Sequence, residues 1–275
     1  MCIVAFSWSG IDAESYNILV VHNRDEQLDR KTKRMFLWND DETLAPQDVT
    51  SKGTWFGVRG TSRLSFVTNM RQKDGKVYKT SRGALVTGFL QSGQSTMEYL
   101  NGLMAKADEY AGYNLIVFDG KQMGYYCNRT AEAPEILSPG IYALSNDRWL
   151  HSSWCKVHRA KELFQDSKAR YDQGAWNPME ALSSMLDLMM DTEGVEETVK
   201  LPNTGYSLEF ETNCSGLFVQ PFAHQGGLYG TRTTIALAIH SELDSLVIEK
   251  DFDLDADQWT SNSFVINRKT GDFIK

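Results

Sequence analysis

Cys2, directly behind Met1, is the first residue of this chain whose type and place could do chemistry. Methionine is usually trimmed before a side chain this small, and trimming would leave a thiol and an α-amine on one residue. Such an amine can serve as general base for its own nucleophile, with no separate histidine. The plainer role for Cys2 is a small buried hydrophobe opening a strand. The next candidates are Asn23-Arg24-Asp25-Glu26, straight after an apolar run that ends at His22. Four polar residues at a strand end commonly make a solvated turn. If that strand pairs with the first, its end lies beside Cys2, where a guanidinium and a carboxylate would lower the thiol pKa and hold the amine. Adjacent strand residues point to opposite faces, so Arg24 and Asp25 both face Cys2 only if the strand has ended there.

The elements that must position these groups are legible as changes of period. Cys2 to Trp8 and Tyr16 to His22 are β-branched, apolar runs joined by a polar segment, which predicts an antiparallel hairpin. Gly53 to Arg59 and Leu64 to Met70 form a second pair, turned at Gly60. Ser81 to Gln91 and Ser95 to Ala107 then carry apolar residues at helical spacing, each with a serine available as N-cap. Strands return at Asn114 to Phe118, Met123 to Cys127 and Ile141 to Leu144. Ser153 to Phe164 and Pro178 to Met190 read as helices, proline suiting a first helical position. Asp191 to Gly205 is an acidic loop, and Thr233 to His240, Ser245 to Glu249 and Ser263 to Asn267 close the chain as strands. Two batches of strands separated by helices predict two sheets with helices outside, an α+β layered fold.

With 275 residues, 41% of them hydrophobic, the chain can bury one sizeable core, so residues 1–275 are expected to form a single domain. A formal charge of -8 argues against a nucleic-acid partner and an anionic membrane surface. No apolar run reaches 18 residues, so no transmembrane helix is expected. The apolar start lacks a basic flank and is followed by Asp12 and Glu14, which suits a core strand better than a leader. Cys2, Cys127, Cys155 and Cys214 form no CxxC pair, so neither a zinc site nor a disulfide framework is expected, and a reducing cytoplasm fits.

Cys2, the tetrapeptide Asn23 to Glu26, GTWFGV from Gly53 to Val58, Thr68-Asn69, Asn114-Leu115-Ile116, Leu144-Ser145-Asn146 and Gly230-Thr231-Arg232-Thr233-Thr234 occur in one order across most of the chain. In that combination the chain resembles the NRDE family, also called the transport and Golgi organization protein 2 family. It is similar, more distantly, to the choloylglycine-hydrolase and penicillin-acylase group of N-terminal cysteine enzymes. The resemblance implies a four-layer αββα sandwich of two largely antiparallel sheets, like an N-terminal-nucleophile (Ntn) hydrolase. It also implies roles: Asp25 holds the Cys2 amine and Arg24 polarises the thiol. Asn69 donates to an oxyanion, a contribution of about 3 kcal/mol in enzymes where it has been measured. Asn146 orients amine or substrate, and Arg232 supports the nucleophile or a ligand carboxylate. In the hydrolase group the arginine precedes the aspartate by three residues, whereas here the two are adjacent.

Two functions follow from the resemblance. One is an intracellular carrier of heme or a similar amphipathic acyl-lipid cargo. Its cleft would be lined by Asn23, Arg24 and Arg232, with His22 or His224 nearest the cargo, and donor or acceptor proteins would meet it transiently. The other is a cysteine-nucleophile hydrolase or acyltransferase acting on C–N or thioester bonds. Neither requires a cofactor, heme entering only as cargo. The five histidines, His22, His151, His158, His224 and His240, sit in no CxxCH or other ligand-spaced motif, so covalent heme attachment and a dedicated metal site are not expected. Seven Trp, eleven Tyr and thirteen Phe could line an amphipathic cleft. The family association favours the carrier.

Overall fold

The computed structural model describes residues 2–10, 17–39, 42–60, 62–73, 75–148, 150, 152–174, 177–195, 197–240 and 242–274; Met1, Tyr16 and His151 lie outside them. β1 (Cys2–Trp8) is buried at all seven positions, as a strand covered on both faces must be. β2 (Asn17–Gln27) pairs with it antiparallel, Cys2 opposite Arg24 and Trp8 opposite Ile18. The expected hairpin partner is present, but it runs on through the tetrapeptide instead of ending before it. The charged residues Arg24, Asp25 and Glu26 are strand residues because each finds a buried partner that a solvated turn would not offer.

β3 (Thr32–Leu37), β4 (Thr43–Asp48), β5 (Phe56–Arg59) and β6 (Arg63–Asn69) form an antiparallel meander. The pair β5–β6 follows from apolar alternation, whereas β3 carries Lys33 and Arg34 and β4 carries Pro46, which hide them from a pattern search. Pairing of β4 with β5 stops at Leu44, so Pro46 interrupts no ladder bond on that side. α1 (Gly83–Gln91) and α2 (Thr96–Met104) come next, the latter opened by a capping box between Ser95 and Glu98. β7 (Tyr113–Phe118), β8 (Met123–Cys127), β9 (Glu135–Ile136) and β10 (Gly140–Leu144) are followed by α3 (Cys155–Asp172), α4 (Pro178–Leu188) and a short α5 (Leu208–Asn213). β11 (Phe222–His224), β12 (Gly227–His240), β13 (Ser245–Asp253), β14 (Gln258–Ile266) and β15 (Phe273–Ile274) end the chain.

Among the described residues one sheet runs β10-β1-β2-β12-β13-β14-β15, with β11 beside β12, and the other runs β3 to β9 in chain order. The strand pairings within both sheets are antiparallel among the described residues. Val4, Phe6, Val20 and Leu237 of the first sheet meet Phe56, Phe66 and Ile116 of the second in a shared core. The alternate residues Ile3, Ala5, Leu19, Val21, Ala236 and Ala238 pack under α3 and α4. α1 and α2 cover the second sheet from outside. This is the four-layer αββα sandwich the resemblance implies. No helix among the described residues is long and apolar enough to cross a membrane.

Candidate active site

β1 opens at the mouth between the two sheets, which places Cys2 at the floor of a cavity of about 360 Å³. The Cys2 backbone N–H donates to Asn146 Oδ1 at 3.4 Å. Asn146 follows β10, the other neighbour of β1, and Ser145 Oγ donates to the Cys2 carbonyl at 2.9 Å. Asn146 Nδ2 donates to the carbonyl and to Oδ1 of Asn69 at 2.8 and 3.0 Å. Asn69, its Oδ1 so engaged, lines the cavity. Burial pushes the Cys2 thiol pKa up and Asp25 adds to this, while Arg24 and Arg82 pull it down. A thiol so placed is protonated at neutral pH and needs a base to become a nucleophile.

Arg24 and Asp25 both line the cavity although β2 continues past them, and their side chains diverge as strand alternation requires. Arg24 Nη2 reaches Asp48 Oδ2 at 3.0 Å, and its guanidinium lies 4.3 Å from the Trp55 ring centre. Arg30 Nε donates to the same Asp48 oxygen at 2.6 Å. Burial alone would raise the Asp48 pKa, but Arg30, the Ser51 N–H and Arg24 hold it below its ordinary range. Asp25 turns to the other face, where Oδ1 accepts from Thr231 Oγ1 at 2.7 Å. Tyr206, Phe210, His224 and Tyr229 make an aromatic wall, with Phe210 4.6 Å from Tyr206 and 4.5 Å from His224 between ring centres.

Cys2, Asp25, Asn69 and Asn146 are thus brought together, and Arg24 and His224 share their cavity. Three other expected residues stand elsewhere. Asn23 points to the helix side, where Nδ2 donates to the carbonyls of Met189 and Leu217 at 2.8 and 3.0 Å and Oδ1 accepts from Thr234 at 2.7 Å. His22 is sealed between the sheets against Phe56 and Phe66, and burial drives its pKa down to about 3. Arg232 falls at a β-bulge, because Thr231 pairs with Asp25 and Thr233 with Arg24, and its Nη1 donates to the Leu28 carbonyl outside the cavity lining. The four cysteines are free, and no group of three or more His, Cys, Asp or Glu among the described residues could hold a metal ion.

Residues 1–254 match the family described as Transport and Golgi organisation 2. The chain belongs to this family. It is 28% identical over 284 residues to the Transport and Golgi organization 2 homolog of Mus musculus and to the Transport and Golgi organization protein 2 homolog of Homo sapiens, covering 96% of this chain and 98% of each relative. A solved structure, the Caenorhabditis elegans N-acylethanolamine-hydrolyzing acid amidase ortholog, is similar with a TM-score of 0.43 and 9% identity, over 66% of this chain and 85% of that one. That likeness is too weak to bear on residues or chemistry.

In this member of the Transport and Golgi organisation 2 family, four cavity residues or their supports escape sequence reading. Arg71 follows β6, pairs with buried Glu211 of α5, and brings Nη2 to 3.5 Å from Asn146 Oδ1. Lys156 is buried in α3 with Nζ on the Cys214 carbonyl at 3.1 Å; burial pushes its pKa down and the Asp25 carboxylate opposes this. A signal existed for it: Lys156, Ala160 and Phe164 share one helical stripe, so a lone lysine stands on an apolar face. Arg82 had one too, as a cation at a helix N-terminus, where the dipole is unfavourable to it. Nothing local marks Glu211, whose partner lies 140 residues away.

Proposed function

We propose that the protein is an N-terminal cysteine hydrolase or acyltransferase for a small polar C–N or thioester substrate. One observation carries this reading: Asn146 links the Cys2 nitrogen, through Oδ1, to Asn69, through Nδ2, at the floor of a cavity lined mainly by polar and charged groups. On removal of Met1 the Cys2 nitrogen becomes a free α-amine, with Asn146 Oδ1 orienting it. The neutral amine takes the thiol proton and Sγ attacks the substrate carbonyl carbon. Asn69 Nδ2–H then donates to the oxyanion as it forms, where a preorganised donor is worth most. Collapse expels the amine or thiol, which takes its proton from the Cys2 ammonium. Water or an acceptor nucleophile cleaves the acyl-cysteine by the same steps in reverse.

The aromatic wall supports a second reading, carriage of a flat amphipathic cargo such as heme or an acyl lipid. The transport function in the family's name agrees with it. Phe210 and Tyr206 would stack on the cargo, His224 would stand nearest a heme iron, and Arg24 would meet a carboxylate. Free thiols in either reading suit a reducing compartment such as the cytoplasm.

The experiment starts with intact mass, to secure protein whose first residue is Cys2. Acyl release from short thioesters and amides is then compared between wild type and Cys2→Ala, beside heme titrations of wild type, Cys2→Ala, Arg24→Ala and His224→Ala. Release that Cys2→Ala lowers at least about a thousandfold, with ligand affinity kept, is expected for a nucleophile. No release by verified wild type, together with heme binding that only Arg24→Ala or His224→Ala weakens, would replace the hydrolase with the carrier.

A further inference from the structure

Four arginines line the cavity, and three of them are neutralised by carboxylates. Arg24 and Arg30 share Asp48, at 3.0 and 2.6 Å, and Arg71 is paired with Glu211. Arg82 differs. Among the described residues it has no carboxylate partner, and its one hydrogen bond runs from Nη1 to the Gly112 carbonyl at 3.0 Å. A guanidinium carries five N–H donors in a planar fork that fits an oxyanion through two parallel bonds. Arg82 sits in the cavity wall at the N-cap of α1, where the helix dipole disfavours a cation. Its side chain is half-buried in that wall, where burial lowers its pKa and Cys2 and then Glu26 act the other way. With one hydrogen bond among the described residues and no ion pair, the guanidinium has donors left over for an anionic ligand in the cavity.

We propose that Arg82 is the oxyanion anchor of this cavity, and that the small molecule presented to Cys2 bears a carboxylate or phosphate which Arg82 binds. The substrate class narrows accordingly, to acyl donors with an anionic group near the reacting carbonyl. The proposal rests on Cys2 as the reactive centre, but its test reads alkylation and not turnover, so it can fail while the hydrolase reading stands, and the reverse.

The full chain is treated with iodoacetate or iodoacetamide, and the rate at Cys2 is read from its peptide by mass spectrometry, apart from Cys127, Cys155 and Cys214. In both reactions Sγ bonds to the reagent's methylene, iodide leaves with the electrons of the C–I bond, and the thiol proton goes to buffer. The reagents differ in carrying a carboxylate or a neutral amide. Any change in thiol pKa affects both equally, so the ratio of rates isolates recognition of charge.

Wild type should favour iodoacetate over iodoacetamide, relative to free cysteine. Arg82→Gln should cut that ratio about tenfold, the lower end for a hydrogen bond to a charged group, and Arg82→Lys should restore part of it. Acetate and inorganic phosphate should slow iodoacetate, but not iodoacetamide, at Cys2 of wild type; the better competitor of the two identifies the group. A wild-type ratio equal to that of free cysteine, or one unmoved by acetate and phosphate, overturns the proposal even if the Gln variant does not fold. So does an unchanged ratio in folded Arg82→Gln.

Discussion

Between pH 4.5 and 6.5, Glu249→Gln should turn a flat stability profile into a sloping one, because the opposed titrations of two buried groups now cancel there. Glu249 lies in β13 with 1% exposure, and its Oε2 accepts the Met35 N–H at 2.8 Å. Burial raises its pKa from 4.5 to about 8, against the Met35 bond and with help from Asp251. The folded state therefore keeps a proton that the unfolded chain releases, so this contribution is whole below pH 4.5 and lost as pH rises to about 8. His22 is the mirror case, its pKa lowered from 6.5 to about 3 by burial. Its contribution is whole above pH 6.5 and lost as pH falls towards 3. At about 1.4 kcal/mol per pH unit, each is worth about 5 kcal/mol over its range, and between pH 4.5 and 6.5 the two slopes offset. Glutamine keeps an acceptor for Met35 and cannot titrate. Wild type should thus lose about 2 kcal/mol from pH 6.5 to 8, a loss the variant escapes, while the variant alone falls by about 3 kcal/mol from pH 6.5 to 4.5. Urea unfolding of both proteins at pH 4.5, 6.5 and 8 measures this, other groups being common to the two. A stability difference that stays constant across pH would refute the assignment of Glu249 as a buried, protonated acid.

His22→Phe should remove the acid slope that Glu249→Gln exposes, so the double variant should be flat between pH 4.5 and 6.5 in the same assay. Asn23→Ala breaks three buried hydrogen bonds and should cost about 2–4 kcal/mol in urea unfolding. Alkylation of Cys2 in the folded variant should remain at the wild-type rate, since Asn23 lies outside the cavity. Gly53→Ala would place its Cβ 2.7 Å from the Gly83 carbonyl carbon, backbone against backbone. The cavity rim must open to admit it, at about 1–3 kcal/mol by thermal or urea unfolding.

The layered fold was legible because its central strands are apolar on both faces and its helices carry a single stripe. Ile3, Val4 and Ala5 leave no choice but burial on two sides, and Ser95 with Glu98 announces α2. β3 and β4 were illegible for a physical reason: they lie where the second sheet becomes polar towards the cavity mouth, and Lys33, Arg34 and Pro46 obscure the alternation. The meeting of Cys2, Asn69 and Asn146 was legible because each stands at or just beyond a strand terminus. It was illegible where charge pairs close over long loops. Glu211 neutralises Arg71 across 140 residues, and no local pattern reports such a partner. Arg232 misled because a bulge shifts register by one residue, which re-aims a side chain without changing the motif around it.

The tetrapeptide itself shows why four polar residues can sit inside a strand. Alternation sends Asn23 and Asp25 towards the helices, and Arg24 and Glu26 between the sheets. Asn23 ties β2 to the end of α4, to Leu217 and to β12 through Thr234. Asp25 fastens the bulge of β12 through Thr231. Arg24 crosses to Asp48 at the end of β4, and Glu26 stands 3.6 and 3.7 Å from Arg24 and Arg30. One strand end therefore joins both helical and sheet layers at the point where β1 presents Cys2. A single residue removed from this set loosens a different layer in each case. The motif reads as a catalytic signature in the sequence, but two of its four members, Arg24 and Asp25, reach the thiol electrostatically. Asn23 instead anchors the layers, and Glu26 holds the cations of the rim in place.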